Sequence, residues 1–461
     1  MKFLYKDLLT FLTKKPSLEL LSKRLFQLGH EHEITDEILD FEFTPNRGDC
    51  LSLLGLSRDL NYFYESKYPF QVYNDDIDDL DINFQNLSTE SCPKISFLEI
   101  EIGEKTQSYK PYLEDYFSKL GNNKINFFTD ISNFVSYELG QPTHCYDRKS
   151  LGKEITFSKR QCNESFKTLL EKEIKLSDKN CVFTIGEEII ALAGVMGGLS
   201  TACSEKTRKV LIECAYFNPE EIIGKAIKYN LKSDAAHKFE RGVDIESQVK
   251  VLRRFISIVN DHASIKSLKM KTFNYEDSKT KYLPIDVNKI NMILGTNLTK
   301  EEYINYLADL GFEIDNEIKI PSYRHDISSQ NDLSEEIGRV IGYDNIPSKI
   351  FDLNSSFKRE QNKISKIEDF FVHNGFLEVI NFPFTSFEEE RSILIDNPLD
   401  SNRKNLRTSL KESLLENLLY NERRQKDSIK LFEISDIYSN RDNIHQEKKL
   451  GIIVSGRRGH N

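Results

Sequence analysis

Residues 190–242 read IALAGVMGGLSTACSEKTRKVLIECAYFNPEEIIGKAIKYNLKSDAAHKFERG. Five glycines (Gly194, Gly197, Gly198, Gly224 and Gly242) surround one acid, Glu213, set in the apolar run from Val210 to Phe217. A carboxylate in such a run is costly to bury unless something binds it. Glycines let a backbone approach a ligand closely. The stretch predicts a pocket that grips a small polar group, within a mixed segment of strands and helices over residues 93–265.

Outward from this segment, a chain of 461 residues is too long for one core and predicts several domains. Hydrophobic residues at 39% and charged residues at 30% fit a soluble globular protein. No apolar run approaches the roughly 20 residues that span a bilayer, and Lys6, Lys14 and Lys15 interrupt any secretory pattern. Seven scattered cysteines without a Cys-x-x-Cys pair fit reduced thiols in a cytoplasm. A net charge of −10 argues against a purely electrostatic nucleic-acid binder, so RNA contact would need local patches or a partner subunit.

Toward the N-terminus, Ser17 to Leu28 reads as an amphipathic helix closed by Gly29, with Leu18, Leu21, Leu25 and Leu28 on one face. Ile38 to Phe43 alternates like a strand, Thr44 to Asp49 is a turn locked by Arg47 and Asp49, and a helix covers Leu51 to Phe63. Residues 74–82 read as a solvated acidic linker. Later, Thr299 and Glu302 form a capping box before a helix face of Tyr303, Leu307 and Leu310, ended by Gly311. The strand Glu317 to Ile320 follows. The order echoes the first unit: Leu28-Gly29 with Leu310-Gly311, Pro45 with Pro321, Arg47-x-Asp49 with Arg324-x-Asp326. A diverged repeat of one small α+β module and a chance similarity both explain this echo. In the last segment Ile364, Ile367, Phe370 and Phe371 make a helix face, Phe376 to Phe384 is strand-like, Leu410 to Asn421 is helical, and Ile429 to Tyr438 and Leu450 to Val454 read as core strands. The chain stops at Arg457-Arg458-Gly459-His460-Asn461, directly after a strand, and the last domain is expected to be incomplete.

Several blocks, in this order, resemble the β subunit of bacterial-type phenylalanyl-tRNA synthetase: FEFTPNRGDCLSLLGLSRDL (41–60), SNFVSYELGQPTHCYD (132–147), ALAGVMGG (191–198), LIECAYFNP (211–219), SDAAHKFERGVD (233–244), IPSYRHDISSQNDLSEEIGRVIGYDNIP (320–347), NPLDSNRKNLRTSL (397–410) and LFEISDIY (431–438). The resemblance implies a multidomain α+β chain. Its parts would be an N-terminal α+β module (1–75), an editing domain (93–265), a second small winged-helix-like module (280–350) and a partial class II catalytic-like antiparallel-sheet domain (355–461). The family's OB-fold insertion has no room between Ile34 and Ile38, and its C-terminal anticodon-binding domain is absent from this sequence.

The resemblance further implies a heterotetramer with an α subunit, binding of phenylalanine tRNA, and ATP-dependent attachment of phenylalanine on the α subunit. It implies hydrolytic removal of tyrosine by this chain. Phenylalanine and tyrosine differ by one hydroxyl, and Glu213 is the candidate that accepts a hydrogen bond from the phenol. A buried glutamate paired with Lys209 or Arg208 is the alternative. Ser132 and Asn133 would meet the terminal adenosine of the tRNA; the family commonly carries Thr at the position of Ser132. His144 would hold the ester or orient water, or else make a structural hydrogen bond. His144-Cys145 makes a poor base–thiol pair, because adjacent strand residues face opposite ways. Gly194, Gly197 and Ala235 would line the tyrosine pocket, or serve turns and helix packing. Asp326, Asp332, Glu335 and Glu336 are implied to hold Mg²⁺ with the α subunit, while Asp332-x-x-Glu335 equally reads as a helix start with Asp332 as N-cap. Arg403, Lys404, Arg407, Arg423, Arg424 and Lys426 form a basic patch for RNA, for the α subunit, or for solvent. A free-standing deacylase and a non-enzymatic interaction scaffold are the alternative functions.

Overall fold

A computed structural model describes residues 1–152, 154–276, 280–348, 362–400, 402–440 and 443–456. The C-terminal Arg457 to Asn461 lie outside the described residues. The chain divides into two compact units, Met1–Lys349 and Ile350–Asn461. Among the described residues no helix is long and apolar enough to cross a membrane.

The first unit opens with β1 (Lys2–Leu4), helices Tyr5–Thr10 and Leu18–Gln27, β2 (Glu31–Thr35), β3 (Ile38–Glu42) and the helix Leu53–Asp59. Ser17 caps the second helix by accepting from the Leu20 amide, and Leu21 and Leu25 turn inward. The predicted helix Leu51–Phe63 is broken: Ser52 caps Leu53–Asp59, and a separate turn, Asn61–Tyr64, follows. The strands form an antiparallel sheet in the order β1-β3-β2.

Two sheets then stack. One has the order β4 (Asp78–Asp79), β15 (Ala263–Asn274), β6 (Lys94–Lys105), β14 (Lys209–Tyr216), β7 (His144–Asp147). The other runs β13 (Met196–Gly197), β12 (Glu188–Leu192), β11 (Asp178–Ile185), β8 (Glu154–Cys162), β5 (Asn83–Asn86), with a small ribbon of β9 (Ser165–Lys167) and β10 (Glu173–Lys175). The acidic segment 74–82 is thus no free linker: β4 pairs with β15, and Leu80 is buried. Alternation on β14 explains how one strand serves two cores. Val210, Ile212 and Cys214 face helices Phe127–Leu139 and Gln248–His262, while Leu211 and Ala215 face the second sheet.

The unit ends with β16 (Tyr282–Pro284), helices Val287–Leu294 and Lys300–Asp309, β17 (Glu313–Ile314), β18 (Glu317–Lys319) and the helix Gln330–Ile341. The Thr299–Glu302 capping box is present. The sheet order, β16-β18-β17, is antiparallel throughout. It repeats the first module strand for strand.

In the second unit β19 (Leu377–Glu378) and β24 (Ile444–Gly456) flank β23 (Ser428–Asn440), beside a small sheet of β20 (Phe384–Thr385), β22 (Asn405–Leu406) and β21 (Ile393–Leu394). Helices Lys363–His373 and Lys411–Glu422 complete it. The expected helix face is only partly buried: Phe371 is covered, Phe370 is exposed. β24 serves the core on one face only: Ile453 packs against the buried cluster, while Leu450, Ile452 and Val454 are exposed.

Candidate active site

β14 and β7 run antiparallel with Glu213 directly opposite His144. Opposed residues of an antiparallel pair share a face, so both side chains point between the stacked sheets. Glu213 and His144 line a cavity of about 70 Å³ together with Gly194, Gly197, Ala235 and the rings of Phe217 and Phe239. Two glycines shape it. Gly194 has φ of 68°, and a Cβ there would stand 2.8 Å from Ile222 and 3.0 Å from Phe217. A Cβ on Gly197 would stand 2.2 Å from His144 Cε1.

Among the described residues Glu213 pairs with no cation. Lys209 turns to Glu99 and Glu101, and Arg208 donates to the carbonyls of Glu205 and Thr207. The basic-residue alternative therefore fails. Its partner is Tyr146, whose hydroxyl donates to Oε2 at 2.6 Å. Burial pushes the Glu213 carboxyl up to about 7, against the lowering effect of that bond. Burial pulls His144 down to about 4, so its imidazole is neutral near pH 7. His144 is half-buried as a residue, yet its Nε2 is fully covered and has no hydrogen-bond partner. A neutral imidazole and a carboxylate without a cation partner among the described residues thus line one small space, together with Thr143.

Ser132 and Asn133 do not line that cavity. They sit on the helix Phe127–Leu139 and line an adjoining cleft of about 670 Å³, which shares Pro142, Thr143 and Ala235 with the cavity. Asn133 is exposed. Ser132 is buried and donates to the Thr143 carbonyl at 2.7 Å, so its proton is committed to the protein. Cys145 faces the opposite core from Tyr146, and its thiol is raised well above the usual range by burial. Two residues in the neighbourhood escaped sequence reading. Tyr146 was signalled by the alternation His144-x-Tyr146. Lys238 carries no such signal; it lies buried in the cleft wall, donates to the Ser136 carbonyl and hydroxyl, and is pulled down to about 7 by burial.

The four acids expected to hold a metal have other partners. Arg324 forks onto Asp326 and reaches Glu336, which also accepts from Arg339. Asp332 is not the N-cap but the third helical residue, closing a capping box on Ser329 and accepting from Ser328. Glu335 is exposed. Among the described residues these four acids do not converge on one point: Asp326 and Glu336 are held by arginines, Asp332 by the helix start, and Glu335 is exposed. His30, Cys50 and Asp59 do converge, but Arg47 and Arg339 both bond Asp59 and make the spot unsuitable for a cation. In the second unit Arg407 leaves the basic patch, since it is buried against Glu433 at 2.7 Å.

Comparison with known proteins fits this arrangement. Residues 91–264 match the B3/4 domain, residues 283–343 the tRNA synthetase B5 domain, and residues 346–461 the phenylalanyl tRNA synthetase beta chain CLM domain. Phenylalanine–tRNA ligase beta subunits of Psychrobacter arcticus, Methylococcus capsulatus and Fusobacterium nucleatum are 28%, 30% and 31% identical over 92%, 92% and 93% of this chain, and over 56%, 56% and 57% of their own length. A solved N-terminal fragment of the phenylalanyl-tRNA synthetase beta-subunit from Pyrococcus horikoshii aligns with 74% of this chain and 98% of its own at 12% identity, with a TM-score of 0.39. The chain spans about half the length of the curated relatives it matches. With three domain types in register and this likeness along nearly all its residues, the chain belongs to the bacterial-type phenylalanyl-tRNA synthetase β-subunit family.

Proposed function

We propose that this chain supplies the hydrolytic editing site of a phenylalanine–tRNA ligase and removes tyrosine wrongly joined to phenylalanine tRNA. The observation that carries the reading is one carboxylate without a cation partner among the described residues, lining a small cavity whose other polar side chains are a neutral imidazole and Thr143. An apolar synthetic pocket rejects an isostere with an added hydroxyl by only about 100-fold, so a second, polar site is needed. Tyrosine in the cavity donates a hydrogen bond from its phenol to the Glu213 carboxylate. Phenylalanine leaves the Glu213 oxygen not held by Tyr146 desolvated and unpaired, at a cost of about 1–3 kcal/mol.

The adjoining cleft accepts the tRNA end. Asn133, exposed and able to donate and accept, meets the terminal adenosine. Ser132 shapes the wall through Thr143 and offers the adenosine only its lone pairs. His144 holds the ester or orients the attacking water, and a positioned water with the ribose hydroxyl of the substrate suffices for cleavage. Attachment of phenylalanine with ATP takes place on an α subunit, with this chain as scaffold of the complex. Glu213→Ala is expected to lower hydrolysis of tyrosine-charged tRNA by roughly 10–100-fold, measured on the chain with its α subunit. Full retention of that activity would remove the assignment.

A further inference from the structure

The Glu213 carboxylate has a resident donor. Tyr146 lies two residues beyond His144 on β7, so both rings leave the same face of the sheet. They meet edge to face, 4.4 Å between centroids. Tyr146 is fully buried. Glu213 lines the cavity and Tyr146 does not, so the bond to Oε2 is made from behind the cavity wall. It is the one hydrogen bond that Glu213 side-chain oxygens make among the described residues. Oε1 has no protein donor.

Among the described residues no charge competes for this carboxylate. The titratable groups around it are His144, Cys145 and Tyr146 from β7, Cys214 beside it on β14, and Cys92 ahead of β6. All are neutral near pH 7: burial holds the thiols and the phenol up and the imidazole down. A terminal carboxyl torsion is broad and turns easily when nothing holds it.

We propose that Tyr146 is a positioning residue of the editing site: its hydroxyl pins one oxygen of Glu213 and so presents the other to the phenol of a bound tyrosyl ester. The inference rests on the editing reading above. A hydrogen bond to the ionised carboxyl also favours that form, so Tyr146 keeps more of Glu213 able to accept.

The test uses the full chain. Glu213 ionisation is followed by carbon-13 NMR of labelled glutamate carboxyls, the resonance being assigned by its loss in Glu213→Gln. In the parent protein the midpoint is expected near 7. Tyr146→Phe should raise it by about one pH unit. A fluorinated tyrosine at position 146, a stronger donor, should lower it, which keeps the test open if the phenylalanine variant folds poorly. In the same variants, the preference for hydrolysing tyrosine-charged over phenylalanine-charged tRNA at pH 7 should fall about fivefold in Tyr146→Phe. Unmoved midpoints, or moved midpoints with an unmoved preference, would overturn the role of Tyr146. An unmoved preference in Glu213→Gln would instead sink the editing reading and this inference with it.

Discussion

Glu213 and His144 carry opposite distortions across one ladder. Glu213 titrates near 7 in the folded chain against 4.5 ordinarily. Its folded pKa is raised, so its contribution to stability is fully present below about 4.5 and is lost as pH rises through about 7. His144 runs the other way: its folded pKa of about 4 makes folding lose stability as pH falls from 6.5 to 4. The two dependences nearly cancel in the parent protein. Glu213→Gln removes one of them, and its stability relative to the parent should climb between pH 4.5 and 7 by up to about 3 kcal/mol. Urea unfolding at stepped pH checks this; a constant difference would show that the carboxyl is solvated. Gly197 offers a second test. An alanine methyl there must displace the imidazole or Leu169, whose Cδ1 would lie 2.9 Å away. Gly197→Ala should cost about 1–3 kcal/mol by thermal unfolding and close the cavity to tyrosyl ester hydrolysis.

The two small modules share more than an echo of sequence. Each runs strand, helix, helix, strand, strand, helix, and each sheet places its third strand in the middle. Each follows that strand with an arginine forked onto the acid two residues later: Arg47 Nε and Nη2 on Asp49, Arg324 Nε and Nη2 on Asp326. The common topology favours one diverged unit over chance. A buried ionic lattice joins the copies. Arg339 of the second module donates to both oxygens of Asp59 in the first, and to Glu336 in its own. Asp59 also meets Arg47 and His30. Arg324 and Arg339 hold Glu336 down to about 2. Removing one partner of a buried pair strands a charge. Arg339→Ala should therefore lower the stability of the first unit by about 3–5 kcal/mol in urea unfolding. A loss under 1 kcal/mol would mean that water enters and solvates Asp59 and Glu336.

The units differ in how well each covers its own apolar surface. The first holds two large clusters of buried residues; the buried cluster of the second is Leu410, Leu414, Ile429 and Leu431. There Phe370, Ile380 and Phe382 are 62%, 90% and 69% exposed, which leaves little burial to offset chain entropy. Calorimetry of the chain should show two transitions, the lower belonging to the second unit. A single cooperative transition would contradict that order.

Much of this was legible in linear order. Periodicity and caps located Leu18–Gln27 and Lys300–Asp309, because local hydrogen bonds and one apolar face are local properties. Glu213 stood out because an acid in an apolar run has few bland explanations. The sequence could not show what Glu213 touches. Tyr146 lies 67 residues away and meets it only through strand pairing, as Asp59 meets Arg339 across 280 residues. Nor could it show that Arg324 and Arg339 already occupy the acids Asp326 and Glu336, or that Arg407 is buried. Patterning, which depends on near neighbours, set the elements; the partners of each charge depend on distant strands brought into register, and folding alone assigns them.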